Sequence, residues 1–234
     1  MKYEGIFFDL DGTLLPMDND AFTKGYLGLL AQAVAPYGFE PKSMISAMWH
    51  GVAAMVKNDG SRTNDKAFWQ VFAGLLGDFT YNHIADFDAF YTKEFHKAIA
   101  FTAPTELAAK AVSLARQKAD KVVLATNPLF PRVAVNARLS WTGISPDAFD
   151  LITDYENSCY CKPSPTYYLD ICEKMGVAPA RCLMIGNNAD EDVRAAQAAG
   201  LSTYLLTDCL IAAGELPETP KGSFPDLIEF LKAL

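Results

Sequence analysis

Near its start the chain runs Gly5-Ile6-Phe7-Phe8 directly into Asp9-Leu10-Asp11-Gly12-Thr13, and few folds accommodate that junction. Ile6, Phe7 and Phe8 are apolar without alternation, the pattern of a strand buried on both faces, and such strands occur mostly in parallel sheets covered by helices. Asp9 stands where that strand ends. In open α/β sheets the ligand crevice lies beyond the carboxyl ends of the strands, so a carboxylate there is placed for chemistry. Gly12 permits a sharp turn, and Asp9 and Asp11, two apart, can face one small volume. Two carboxylates held that close repel unless a cation or a shared proton neutralises them. A hard, oxygen-seeking ion such as Mg2+ is the natural partner. Asp-Gly is also an ordinary turn dipeptide, so the company these residues keep elsewhere decides whether the acidic turn is a site.

After Leu15 the pattern changes. Over residues 20–34, 41–57, 65–76 and 82–98 apolar residues recur at helical spacing, with turn-rich breaks such as Asn58-Asp59-Gly60-Ser61 between them. This predicts a small helical insert over 16–100, set into a core made of 1–15 and 101–234.

From Pro104 strands and helices alternate. A helix over 105–118 leads to Lys121-Val122-Val123-Leu124-Ala125-Thr126-Asn127-Pro128, where Pro128 forbids simple continuation of the strand and leaves a hydroxyl at its end. A helix over 131–139 and a short apolar segment, Phe149-Asp150-Leu151-Ile152-Thr153, come next. The following loop carries Lys162-Pro163-Ser164-Pro165 before a helix over 166–175. Arg181-Cys182-Leu183-Met184-Ile185-Gly186 reads as a further strand, ending in Asn187-Asn188-Ala189-Asp190-Glu191-Asp192. A helix over 193–199 is stopped by Gly200, a fifth strand covers 202–206, and Ser223 or Asp226 caps a closing helix. Such alternation implies parallel βαβ units with right-handed crossovers, a three-layer, Rossmann-like α/β core.

Composition narrows the partners. With 234 residues, half of them hydrophobic, the chain supports one sizeable domain plus an insertion. The net charge of −8 and the lack of any run of Lys or Arg argue against nucleic acid or an anionic membrane as the main partner. The start, Met1-Lys2-Tyr3-Glu4, leads at once into the first strand, which predicts no signal peptide. The five cysteines are odd in number, and Cys159-Tyr160-Cys161 is too tightly spaced for a usual zinc hook, so reduced, structural cysteines in a cytoplasmic protein are expected.

Two aspartates, a hydroxyl with an amide, a lysine and an acid-amide cluster thus fall in order at strand ends. Asp9-Leu10-Asp11-Gly12-Thr13, then Thr126, then Lys162, then Gly186 through Asp192 resembles the haloacid dehalogenase superfamily, its phosphoglycolate phosphatase and β-phosphoglucomutase-like branch in particular. The likeness covers the whole chain, and the insert matches that family's first type of cap. The resemblance implies a Mg2+-dependent phosphatase acting on a small phosphorylated metabolite, as a monomer or homodimer. It makes Asp9 the nucleophile and Asp11 the acid that protonates the leaving alkoxide, then deprotonates the attacking water. Thr126 and Asn127 would bind the phosphoryl group, with Lys162 adding fixed positive charge. Asp9, Asp11 (through its backbone carbonyl), Asn188 and Asp192 would hold the metal.

The fourth motif departs from the family, which has Gly-Asp where this chain has Gly186-Asn187-Asn188. Counting back from Gly200 does not choose between the asparagines. A family variant with Gly-Asn-Asp followed by Glu-Asp favours Asn188, and an amide ligand without charge predicts weaker metal binding. Asp190 and Glu191 read either as rim carboxylates that compensate for the missing charge or as favourable charges at a helix N-terminus, the second being preferred. Within the insert Trp49, His50, Lys57, Arg62, Lys66 and Trp69 are candidates for substrate contact, the tryptophans being more readily cap core; none of His50, His83 and His96 is expected to be catalytic. The rival readings are a haloacid dehalogenase, which needs neither metal nor Asp11, a phosphomutase, and a weakened member retained for binding.

Overall fold

The computed structural model describes residues 3–234. Met1 and Lys2, on which the reading of a leaderless start partly rests, lie outside the described residues. The sheet consists of β1 (Tyr3–Phe8), β2 (Ala119–Leu124), β3 (Leu151–Ile152), β4 (Cys182–Gly186), β5 (Ser202–Leu206) and β6 (Lys221–Gly222), in the order β3-β2-β1-β4-β5-β6. Every neighbouring pair is parallel. The chain winds from β1 outward to β3, then returns to the other side of β1 with β4. That reversal opens a crevice beyond the carboxyl ends of β1, β2 and β4. The two-residue β6 was not expected; nothing in Lys221-Gly222 carries a strand pattern, and its place is set by pairing with Leu205 and Leu206.

β1 is buried on both sides, as its apolar run requires. Ile6 and Phe8 face one core and Phe7 the other. The first side is covered by α5 (Glu106–Lys118), α6 (Arg132–Trp141) and α9 (Phe224–Ala233), the second by α7 (Pro165–Met175) and α8 (Ala195–Ala198). Each large side chain so buried stabilises the fold by roughly 1.5–3 kcal/mol. Ser223 and Asp226 form a reciprocal capping box at the start of α9, so both expected caps act together.

Between residues 19 and 101 the regular structure is all helical: α1 (Asn19–Val34), α2 (Pro41–Val56), α3 (Asn64–Leu76), α4 (Ile84–Thr92) and short 3-10 stretches, the last of them Glu94–Phe101. The single helix expected over 82–98 is broken at Lys93, whose φ of −124° and ψ of −85° leave the helical region. Past the break, Phe95 packs against Phe22, Tyr91 and Trp141. The two crossings between core and insert pair with each other, Met17 bridging Thr102 and the Ala103 N–H donating to Pro16 O at 2.8 Å.

A second tie lies at the start of α3. Asn64 is fully buried; its backbone N–H donates to Ser158 O (2.9 Å) and its Nδ2 to Pro128 O and Cys161 Sγ, both at 3.2 Å. Among the described residues no helix is long and apolar enough to cross a membrane, and all five cysteines are free thiols.

Candidate active site

β1 ends by aiming Asp9 into the crevice, its N–H bonded to Ile185 O across the sheet at 3.0 Å. The turn that follows closes on itself, with Gly12 N–H donating to Leu15 O and Thr13 N–H to Leu10 O. Gly12 has φ +84°, and a Cβ there would lie 2.3 Å from Asn187 Nδ2. Only glycine lets the turn and the β4 loop approach so closely. Thr13, whose side chain has no role in the sequence reading, is completely buried and bridges the two segments: its Oγ1 contacts Asp9 Oδ2 at 3.1 Å and Asn187 Oδ1 at 3.0 Å.

Lys162 is the hub. Buried to 1% exposure, its Nζ donates to Asp9 Oδ1 at 2.8 Å and to Asp192 Oδ1 at 2.6 Å. Burial alone would lower its pKa, but the Asp192 and Asp9 carboxylates outweigh it and hold the ammonium charged well above the usual lysine range. Asn127 fixes the lysine's backbone: its Oδ1 accepts from Lys162 N–H at 3.2 Å, and its Nδ2 donates to Glu191 Oε2 at 3.1 Å. The amide expected to hold phosphate is therefore engaged in placing the lysine. Thr126 is buried beside it, and its carbonyl accepts from Thr153 Oγ1 and Tyr167 Oη.

Asp192 sits on a π-helical turn, Ala189–Arg194, that precedes α8, where a plain helix over 193–199 was expected. The wider turn brings its carboxylate against Gly186, where a Cβ would lie 2.2 Å from Asp192 Oδ2. Asp192 Oδ2 also accepts from Asn188 N–H at 3.0 Å. The side chain of Asn188 turns away to cap the turn: its Oδ1 accepts from Asp190 N–H (3.0 Å) and Glu191 N–H (3.1 Å). Both lone pairs of that oxygen are thereby committed. Asn187 is the asparagine beside Asp9, its Oδ1 on Thr13 and its Nδ2 donating to Cys209 O at 2.6 Å.

Asp11 meets a partner that the sequence reading missed. Its Oδ2 accepts from Arg138 Nη1 at 2.6 Å, and Arg138, on α6, is fully buried with its guanidinium carbon 4.0 Å above the Phe130 ring. The signal was present: position 138 falls one turn after the buried Ala134 and Val135, on the face of α6 that enters the core. Asp11 Oδ1 is buried without a hydrogen-bond partner. Burial raises the Asp11 pKa above its ordinary 3.8, against the lowering influence of Arg138. Burial likewise raises Glu191, and Asp192 is pushed up to about 7 by burial and by the neighbouring Asp9 charge, against Lys162.

These groups surround a cavity of about 160 Å³ lined by Asp9, Asp11, Thr126, Asn187, Glu191 and Asp192, among others. Four carboxylates face it, while Lys162 and Arg138 supply two cations. Excess buried negative charge with oxygen donors suits a hard divalent cation, although among the described residues no three His, Cys, Asp or Glu side chains converge as a ready-made cage. The three histidines lie elsewhere: His83 pairs with Asp86, His96 with Trp141, and His50 with the Ser46 carbonyl.

The carboxylates and the buried lysine thus gather at the topological switch point of a parallel α/β sheet. The chain belongs to the haloacid dehalogenase-like hydrolase family, whose model matches residues 3–200. Solved structures share the fold over almost the full length. The 2-haloacid dehalogenase of Pseudomonas syringae pv. Tomato DC3000 aligns with a TM-score of 0.65 at 18% identity, covering 99% of both chains. A HAD phosphatase from Thermococcus onnurineus gives 0.59 at 18%, covering 99% of this chain and 98% of that one. YfnB of Bacillus subtilis, described as bound to magnesium, gives 0.57 at 21%, covering 99% of both. No curated protein sequence matches the chain.

Proposed function

We propose that the protein is a Mg2+-dependent phosphatase that hydrolyses a small phosphorylated metabolite through an aspartyl-phosphate on Asp9. The observation that carries this reading is the second acid, Asp11, which lines the same cavity as Asp9 with one carboxylate oxygen unpartnered. Displacement of halide needs no such proton carrier, whereas an alkoxide leaving group does.

Asp9 attacks phosphorus as the ester P–O bond breaks, and Asp11 gives its proton to the departing alkoxide. Asp11 then takes a proton from water as that water attacks the phosphorus of the aspartyl-phosphate, releasing phosphate and restoring Asp9. Lys162 holds Asp9 in place and presents fixed positive charge to the transferring group. The Thr126 hydroxyl is the donor available at the end of β2 for a phosphoryl oxygen. Asp9, the Asp11 carbonyl, Asn187 and Asp192 would hold Mg2+, which when bound neutralises phosphoryl charge. Asn187 takes the place first expected of Asn188, because the Asn188 oxygen is spent on the helix cap. Phenyl phosphate assayed with and without Mg2+ tests the proposal; no turnover with any divalent metal would refute it.

A further inference from the structure

A second cavity, of about 140 Å³, adjoins the catalytic one, and Leu129 and Phe130 line both. Its other walls are mostly aromatic and come from the helical insert: Tyr26, Trp49, Phe68, Trp69, Phe87 and Tyr91. Tyr26 lies near enough to Arg138 and Asp11 to feel both charges. Asp88 is the one charged side chain on this lining. On the other side, a groove that shares Asn19 and Ile211 with the catalytic cavity adds Asp18, Asp20 and Asp208. Among the described residues no Lys, Arg or His lines any of the three spaces. Lys162 and Arg138, the cations that touch the carboxylates of the Asp9 cavity, are buried and already paired with Asp9, Asp192 and Asp11.

We infer that the aromatic cavity receives the leaving alcohol, and that this alcohol carries one compact, uncharged apolar ring. The inference rests on the phosphatase reading for its placement next to the scissile bond. Size sets the ring count, since an apolar cavity of about 150 Å³ takes up benzene. Chemistry sets the class: stacked and edge-on aromatic walls reward a flat apolar group, and a second phosphate or a carboxylate would meet acid on every side without a free cation to pair with. Phosphoglycolate and 2-haloacids, both carboxylates, are thereby disfavoured. Trp49, 52% exposed, forms the rim.

The test has a binding arm that needs no turnover. Benzyl alcohol titrated into the purified protein is expected to change tryptophan emission saturably, because Trp49 and Trp69 are walls of the cavity. Val52→Phe fills the space and should abolish the change, and Trp49→Ala should weaken binding by about tenfold. No saturable change in the wild type, or unaltered affinity in a folded Val52→Phe, overturns the inference; should that variant not fold, unaltered affinity in Trp49→Ala overturns it equally. In the turnover arm, benzyl phosphate should exceed 2-phosphoglycolate in kcat/KM by about a hundredfold, and the reverse order overturns the inference. Saturable alcohol binding with neither ester hydrolysed upholds the cavity assignment and refutes the phosphatase reading instead.

Discussion

Asp9 has one carboxylate oxygen on Lys162 and the other on Thr13, so the isosteric Asp9→Asn keeps the shape of the site and leaves Lys162 paired with Asp192 while removing the proposed nucleophile. Turnover of phenyl phosphate should fall by more than about a thousandfold while the melting temperature hardly moves; steady-state kinetics beside calorimetry checks both. Arg138 differs in kind. Deleting one partner of a buried ion pair strands the other, at a cost of about 3–5 kcal/mol, so Arg138→Met should destabilise strongly in urea unfolding. Asp11→Asn in the same chain should recover part of that loss. Asn187→Asp adds a charge where Thr13 links the β4 loop to Asp9, and the Mg2+ concentration for half-activation should drop roughly tenfold. Asn188→Asp, whose side chain caps a turn, should change it little. A motif spacing names both asparagines equally; hydrogen-bond direction separates them, and direction is a property of the folded loop.

At the scale of elements, what the sequence made legible follows from periodicity and what it hid follows from long-range contact. β1, β2, β4 and β5 are apolar runs, and α1, α2 and α3 have amphipathic repeats, so their extents agree with expectation to within about two residues. The break at Lys93 and the π-helical turn before α8 have no local signal. One serves the packing of Phe95 against Trp141; the other brings Asp192 against Gly186. Gly186 is accordingly irreplaceable: Gly186→Ala would push the Asp192 carboxylate off Lys162, and a loss of activity of about a hundredfold is expected from a folded protein. Asn64 ties α3 to the core. Asn64→Ala leaves the Pro128 carbonyl without that donor and should cost about 1–3 kcal/mol, read as a lower midpoint in urea with unchanged slope.

Across the whole molecule, charge governs behaviour. The cavity beside Asp9 holds more carboxylates than cations, and burial, with the neighbouring Asp9 charge, raises the Asp192 pKa from 3.8 to about 7 against the influence of Lys162. Between those values the native protein binds more protons at this group than the unfolded chain does, so stability falls as pH rises through the window. Without divalent metal, the melting temperature should drop by about 5 °C from pH 5.5 to 7.5, a range above the titration of ordinary carboxylates. Saturating Mg2+ should flatten that fall, because an ion held by the ionised site stabilises the native state where the charge repulsion is largest.

The covalent step on Asp9 is tested most directly by trapping it. Protein turning over phenyl phosphate with Mg2+ is quenched in acid and reduced with borohydride, which converts an aspartyl-phosphate to homoserine, and the peptide containing Asp9 is read by mass spectrometry. Homoserine at position 9, absent when Mg2+ or the ester is omitted, is the expected result. Release of phosphate with Asp9 unmodified, and undiminished in Asp9→Asn, would contradict it.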